Sequence, residues 1–311
     1  MELIRLSKIV DKAKNSIVAI GNFDGVHIGH QEVINFAKSI SKKKKKSLSV
    51  ITFEPHPKCF FKKKYENFRI TPFRVKYEEI KRLGVDFYFN FRFSHTFSKI
   101  SANSFIEDIL IKKMQVSHIV TGFDFVFGHK QRGDTKLLES VSISNKAFIF
   151  SEVKEFKKNK IIEVSSSKIR EFLKVGDLKS SKEILGRDWS IQARVIRGKC
   201  LGRKIGFPTA NITLKKYCDL CYGVYAVEIR FKKDFFKSTF KGIANYGIKP
   251  TFLDNEPLLE INIFDFDKDI YGELIEVTFK FFIRHEKKFL NIEDLKEQIT
   301  KDISNCKKLM I

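Results

Sequence analysis

The stretch from Ile17 to Ile34 limits this chain more than any other. Ile17-Val18-Ala19-Ile20 is an apolar, largely β-branched run that stops at Gly21, and Asn22-Phe23-Asp24-Gly25-Val26-His27-Ile28-Gly29-His30 follows as a glycine-punctuated loop. Beyond it Val33, Ile34, Ala37 and Ile40 recur at helical spacing, so the segment reads strand, loop, helix. A helix start offers unpaired N–H groups and the positive end of its dipole, which suits a phosphate. Gly21, Gly25 and Gly29 let backbone approach a ligand closely, and His27 and His30, three apart, share one helix face. Two histidines at this spacing also fit a metal pair, but no third ligand is in register and the glutamate of a zincin helix is missing. Ordinary cap or surface histidines are the other plain reading. Neither a Walker A loop nor the dinucleotide fingerprint is present, because no Gly-Lys-Ser/Thr and no Gly-x-Gly-x-x-Gly follows the strand.

The next segments repeat the pattern. Leu48 to Phe53, Val85 to Phe91, His118 to Gly122 and a run near Phe148 to Phe156 read as strands, interleaved with helices from Pro72 to Leu83 and from Ser104 to Leu110. Alternation of this kind predicts a doubly wound parallel sheet. Ligands of such sheets bind beyond the carboxyl ends of the strands, where strand order reverses. Ser165-Ser166-Ser167-Lys168-Ile169-Arg170 opens another helix, where hydroxyls, a helix N-terminus and two cations make either a plain cap or a second phosphate cradle. Beyond Gly186 closely spaced strand signals replace the alternation, at 191–196, 223–229, 241–244, 259–264 and 274–282. They predict an antiparallel β-barrel, which a last helix covers with the stripe Ile292, Leu295, Ile299 and Ile303. A chain of 311 residues has room for two cores; the expected division is 1–185 and 186–311.

Composition excludes more than it assigns. The net charge of +22 invites nucleic acid or an anionic membrane as partner. Lysine is spread over nearly every segment together with Ile, Phe and Asn, however, as in proteins from AT-rich genomes. The one dense run, Lys42 to Lys46, falls where the first helix should end and its dipole favours cations. With no binding motif beside it, we expect no nucleic-acid partner. No apolar run is long enough to span a bilayer and no signal peptide opens the chain, so no membrane partner and a cytoplasmic location are expected. Five scattered cysteines read as reduced thiols, and Cys218-Asp219-Leu220-Cys221 as a chance pair.

His-Ile-Gly-His resembles the signature of the nucleotidyltransferase superfamily, and the longer Gly-Asn-Phe-Asp-Gly-Val-His-x-Gly-His resembles the adenylyltransferase module of bacterial bifunctional riboflavin kinase/FAD synthetases. Further motifs keep that family's order. Gly122-Phe123-Asp124-Phe125-Val126-Phe127-Gly128 is similar to its Gly-x-Asp/Asn-Phe-x-Phe-Gly; Ser165-Ser166-Ser167 to Arg170 is similar to its Ser-Ser-Thr-x-x-Arg, with Ser167 for threonine. Gly198-Lys199-Cys200-Leu201-Gly202-Arg203-Lys204-Ile205-Gly206-Phe207-Pro208-Thr209-Ala210-Asn211 resembles the kinase glycine loop. Asn245 to Phe252 resembles Asn-x-Gly-x-x-Pro-Thr-Phe, and Arg284-x-Glu286-x-Lys288-Phe289 its flavin-side lid.

The resemblance implies an α/β nucleotidyltransferase domain and a riboflavin kinase barrel, with ATP as co-substrate, Mg²⁺ as cofactor, and riboflavin, FMN and FAD as ligands. It implies catalytic roles for His27, His30, Ser166, Arg170 and Glu260, the last as base for the ribityl hydroxyl. ATP contacts fall to Gly21, Asn22, Phe23, Asp24, Gly29, Ser165, Ser167, Gly198, Gly202, Arg203, Gly206, Phe207 and Pro208. Flavin contacts fall to Asp124, Phe125, Phe127, Arg284 and Glu286, and Mg²⁺ to the neutral oxygens of Thr209 and Asn211. Weak self-association is left open. A class I aminoacyl-tRNA synthetase shares His-Ile-Gly-His but should carry a Lys-Met-Ser-Lys-Ser-like loop and anticodon-binding modules, and neither is seen. A non-enzymatic RNA- or membrane-binding protein accounts for the charge and for none of the motifs.

Overall fold

The structure is a computed structural model, and it describes every residue except 8, 63–66, 156, 159–161, 199–201, 203–204, 233–237 and 249–256. It separates into two compact units, one of Met1–Tyr65 with Thr71–Ser166 and one of Glu66–Ile70 with Ser167–Ile311.

In the first unit β1 (Glu2–Ile4), β2 (Ile17–Ile20), β3 (Leu48–Glu54), β4 (Phe87–Arg92), β5 (His118–Gly122) and β6 (Ile149–Val153) form one sheet in the order β1-β4-β3-β2-β5-β6. Every pairing in it is parallel. Successive side chains of a strand face opposite sides, so these strands must be apolar at nearly every position. Ile17, Ala19, Leu48, Val50 and Tyr88 pack one face against Val33, Ile34 and Ala37 of the helix Ile28–Lys44 and Ile80 of the helix Phe73–Arg82. Val18, Ile20, Ile51, Phe53, Phe89 and Phe91 pack the other against the π-helix Phe105–Lys113 and Leu138 of the helix Thr135–Asn145. The first helix ends with Lys42, Lys43 and Lys44 in its last turn and Lys45 in the left-handed region. That is where the dipole argument put the lysine run. Chain order reverses between β2 and β5, and the loops after these neighbouring strands are the ones with the candidate residues. A short antiparallel pair, β7 (Lys157–Lys158) and β8 (Ile162–Glu163), follows β6.

His118 opens β5 and is buried, with Nε2 2.9 Å from Ser151 Oγ. Burial, with Lys44 as a second cause, pushes its pKa down from 6.5 to about 4. Between those values the unfolded chain takes up a proton that the folded chain refuses, so stability is lost as pH falls from about 6.5 to about 4. The loss from this one group is at most on the order of 3 kcal/mol. We expect thermal melts of His118→Asn to depend less steeply on pH than wild type in that window; equal slopes would contradict the assignment.

In the second unit β9 (Ser190–Arg194), β10 (Ala210–Thr213), β11 (Gly223–Phe231), β12 (Thr239–Ile248), β13 (Pro257–Ile263) and β14 (Leu274–His285) form an antiparallel sheet in the order β10-β13-β12-β11-β14-β9. Ile196 N–H donates to Asn211 C=O at 2.8 Å just past the end of β9, bringing the two edges together into a nearly closed barrel. Its interior holds Trp189, Ile191, Ile212, Tyr225, Leu259, Ile261, Ile275, Val277 and Phe279, all at most 2% exposed. The helix Ile292–Leu309 packs Ile303 and Cys306, with Met310 beyond its end, against Val224, Ala226 and Ile243 on the outside. Of the expected stripe, Leu295, Ile299 and Ile303 lie on the covered side of the helix and Ile292 alone is exposed; the same face continues through Asp302 and Cys306.

Candidate active sites

In the first unit the loop from Gly21 to His27 is folded in an unusual way. Phe23, Gly25 and Val26 all have positive φ, at 49°, 90° and 44°. For glycine this is free of strain; for Phe23 and the β-branched Val26 it costs roughly 1–3 kcal/mol each and persists only where surroundings over-determine it. Phe23 and Val26 are nearly completely buried and anchor the loop in the core. Gly21 sits directly against the Phe23 ring, where a Cβ would lie 2.9 Å from it. Asp24 is 3% exposed, and its carboxylate faces inward to Thr71. Lys76 Nζ donates to Asn22 C=O.

His27 caps the first helix: its Nδ1 accepts from His30 N–H at 3.3 Å. With Nδ1 accepting, a neutral His27 carries its proton on Nε2. The His27 and His30 rings stack with centroids 3.5 Å apart, and Phe23 meets His30 edge-on. Gly29 packs beside His27 and Val164, which brings the start of the serine run to this helix turn. Ser166 Oγ donates to Asp24 C=O at 2.8 Å and ties the serine run to the glycine loop. Ser165 is half-buried and Ser167 exposed. Arg170 belongs to the second unit, where its Nε donates to Phe68 C=O at 2.8 Å and its guanidinium lies 4.1 Å over the Phe68 ring.

The loop after β5 brings Asp124, Phe125 and Phe127 to the same edge of the sheet. Asp124 is exposed and folds over Gly122, while Phe125 and Phe127 stack with centroids 5.4 Å apart. These rings begin a longer array that sequence reasoning missed. Phe127 meets Phe105, Phe105 meets Phe53 and Phe97, and Phe93 joins Phe53 to Phe60 and Phe61. Phe61 and Phe123 stand 65% and 48% exposed, enough to offer ring faces to a planar ligand. The only sequence signal for it was the density of phenylalanine in that half, which reads equally as core. His56, at the end of β3, is a buried turn residue whose Nδ1 accepts from Lys58 N–H.

In the barrel the strand register does the positioning. Asn211 on β10 lies directly opposite Glu260 on β13, Glu260 opposite Asn245 on β12, Asn245 opposite Val224 on β11, and Val224 opposite Arg284 on β14. Directly opposed residues share a face, so these five form one row. Leu259 and Ile261 are completely buried in the interior, which turns Glu260 to the outside. Gly198 lies over the Asn211 amide with no room for a Cβ, and Gly202 lies equally close to Phe207 C=O and next to Thr209 Oγ1. Phe207 N–H donates back to Gly202 C=O at 2.8 Å. Gly198 and Gly202 therefore rest on Asn211 and Thr209. Asn262 Nδ2 donates to Pro208 C=O and pins the segment from the β13 side, a contact no motif announced. Gly206 and Pro208 are exposed; Arg203 lies outside the described residues, as does the loop 249–256.

Arg284 closes the row in a bidentate ion pair. Its Nε and Nη2 donate to Asp302 on the last helix at 2.6–3.0 Å, its Nη1 to His285 C=O, and Gln298 completes the Asp302 carboxylate. Asp302 is 3% exposed. Leaving one buried partner uncompensated typically costs about 3–5 kcal/mol. We expect Asp302→Ala to melt well below wild type; an unchanged melting temperature would mean that the pair does not hold the helix. Glu286 is exposed, and its carboxylate sits against the backbone of Gly247. Among the described residues no cluster of three or more His, Cys, Asp or Glu could hold a metal. Two neutral oxygens beside one carboxylate suit a hard cation that takes its other ligands from phosphates and water.

Two family models together match most of the chain. The FAD synthetase family model matches residues 9–168 and the riboflavin kinase model residues 185–310. The chain is 40% identical to the bifunctional riboflavin kinase/FMN adenylyltransferase of Buchnera aphidicola subsp. Schizaphis graminum, over 99% of this chain and 98% of that one. It is 38% identical to the protein of the same description from Bacillus subtilis, over 94% and 92%. A crystal structure described as a macrolide-efflux protein from Streptococcus pneumoniae is 29% identical, covers 99% of both chains and superposes with a TM-score of 0.85. Among the described residues no helix is long and apolar enough to cross a membrane.

Proposed function

Because the chain belongs to the bifunctional riboflavin kinase/FMN adenylyltransferase family, we propose that it phosphorylates riboflavin to FMN with ATP and then adenylylates FMN to FAD with a second ATP. The first reaction is assigned to 186–311 and the second to 1–185. The observation that carries the reading is the barrel register, with Glu260 opposite Asn211, on which Gly198 lies.

In the kinase step Glu260 orients the 5′ hydroxyl of the ribityl chain and takes its proton as the oxygen attacks the γ-phosphorus in line, with ADP leaving. Gly198, Gly202, Arg203, Gly206, Phe207 and Pro208 cover the nucleotide. Thr209 and Asn211 would hold Mg²⁺, which neutralises charge on the phosphates when bound. Arg284, engaged with Asp302, acts on the flavin by holding the last helix and Glu286 in place.

In the second step a phosphate oxygen of FMN attacks the α-phosphorus of ATP. The bond from that phosphorus to the bridging oxygen breaks, and pyrophosphate leaves. FMN is itself the nucleophile, so no covalent enzyme intermediate is required. His27 donates from Nε2 and, with His30, stabilises the charge that builds on the phosphorus oxygens. Ser166 keeps the serine run on the glycine loop, with Ser165 and Ser167 facing the triphosphate. Gly21, Asn22, Phe23, Asp24 and Gly29 shape the nucleotide side. Asp124, Phe125 and Phe127 hold the isoalloxazine, supported by the ring array around Phe61 and Phe93. We place the protein in the cytoplasm, without a nucleic-acid partner and with at most weak self-association. ATP labelled at the α-phosphorus tests the second reaction: label should move into FAD when FMN is supplied. Label remaining in ATP would overturn it.

A further inference from the structure

The glycine loop of the first unit is braced from outside by one short element, the start of the helix Phe73–Arg82. Thr71, 1% exposed, stands two residues before that helix. Its Oγ1 accepts from Gly25 N–H at 2.8 Å and faces Asp24 Oδ1 at 3.5 Å, and its own N–H donates to Asp24 Oδ1 at 3.1 Å. One hydroxyl therefore accepts a hydrogen bond from one loop residue and directs its own hydrogen toward the preceding one. Lys76, one turn into the same helix, is completely buried. Its Nζ donates to Asn22 C=O at 3.2 Å and pairs with Glu54 Oε1, at the end of β3, at 3.4 Å.

Thr71 and Lys76 thus grip the loop on both sides of Phe23, in the segment whose φ values at Phe23 and Val26 the chain would not hold unaided. The loop in turn carries the parts of the site. Asp24 C=O accepts from Ser166, and Val26 leads directly into the His27 cap on which His30 stacks. Displacing Asp24 and Gly25 would shift the serine run and the imidazoles together, and misplacement by about 1 Å is enough to lose about 10²-fold in rate.

We propose that Thr71 and Lys76 are positioning residues for adenylyl transfer: they lock the glycine loop in its strained form and so set the placement of His27, His30 and Ser166. This rests on the adenylyltransferase reading of that site. Neither residue belongs to the glycine loop, the histidine pair or the serine run.

The test compares Thr71→Val, which keeps shape and loses the hydroxyl, with Thr71→Ser, which keeps the hydroxyl, in the full chain. Thr71→Val should lower kcat for FMN adenylylation about 10²-fold, with KM for ATP changed less than about threefold. Riboflavin phosphorylation in the same preparation should stay within about twofold. Thr71→Ser should restore most of the lost kcat, and Lys76→Met should behave like Thr71→Val. The imidazole Cε1–H resonances of His27 and His30, assigned in wild type, should move in Thr71→Val and stay in Thr71→Ser. Full adenylylation by Thr71→Val, or equal losses in the valine and serine variants, would overturn the proposal. If wild type makes no FAD, the reading of the site fails by itself. The resonances then still decide the brace, since unmoved imidazoles in Thr71→Val would refute it without reference to activity.

Discussion

Replacing Glu260 by Gln removes riboflavin phosphorylation, by about 10²–10⁴-fold in kcat, and leaves conversion of supplied FMN to FAD close to wild type. The size of the loss follows from what the side chain is asked to do. A primary hydroxyl is a poor nucleophile at neutral pH, and the barrel row holds a single carboxylate opposite the Asn211 on which Gly198 lies. Glutamine preserves the shape and can still hydrogen-bond, but it cannot accept the proton. The cross-strand neighbours Asn211 and Asn245 are neutral amides, and Leu259 and Ile261 keep the strand in the barrel. The variant should therefore melt like wild type. Initial rates of FMN formation from riboflavin, with FAD formation from FMN measured alongside, check the result. A loss smaller than about tenfold would mean that another group takes the proton or that none is needed.

Replacing both His27 and His30 by Ala gives the mirror result: FAD formation falls by about 10³-fold or more while FMN formation continues. Single preorganised donors to a developing oxyanion are worth about 10²–10³-fold, and the two stacked rings are proposed to act on the same phosphorus. His27 also caps the helix through Nδ1, so alanine there costs about 1 kcal/mol of stability as well. His27→Asn separates the two effects, because Asn caps well but does not put a donor where Nε2 was. It should retain the stability and lose the adenylylation. If FMN formation collapsed together with FAD formation in the double variant, the two activities would not have separate sites.

Much of this molecule is legible in its sequence where local pattern and chemistry coincide. The strand-loop-helix at Ile17 to Ile40, the lysine-terminated first helix and the alternation of strands with helices are local signals, and each has its counterpart in the parallel sheet. Elements with little to bury were missed. β1 is three residues long with one buried side chain, and the helix Thr135–Asn145 buries only Thr135 and Leu138. On the last helix the stripe from Leu295 to Ile303 lies on the covered side, but the buried Asp302 beside it, paired with Arg284, occupies a position that hydrophobic periodicity cannot register.

The same limit applies to the sites. That Glu260 lies opposite Asn211 depends on pairing between strands 49 residues apart, and no spacing within one strand reveals it. Asn262 on Pro208, Thr71 on Asp24 and Gly25, and Lys76 on Asn22 are long-range contacts of the same kind. Motifs mark residues that touch ligands; the residues that hold those motifs in shape carry no pattern of their own.

The most direct test of the whole account is a time course of flavins separated by chromatography after purified protein meets riboflavin, ATP and Mg²⁺. FMN should appear first and FAD later, with FMN passing through a maximum as FAD accumulates. FMN alone would contradict the role given to the first unit. Untouched riboflavin, with supplied FMN still becoming FAD, would contradict the role given to Glu260 and the barrel.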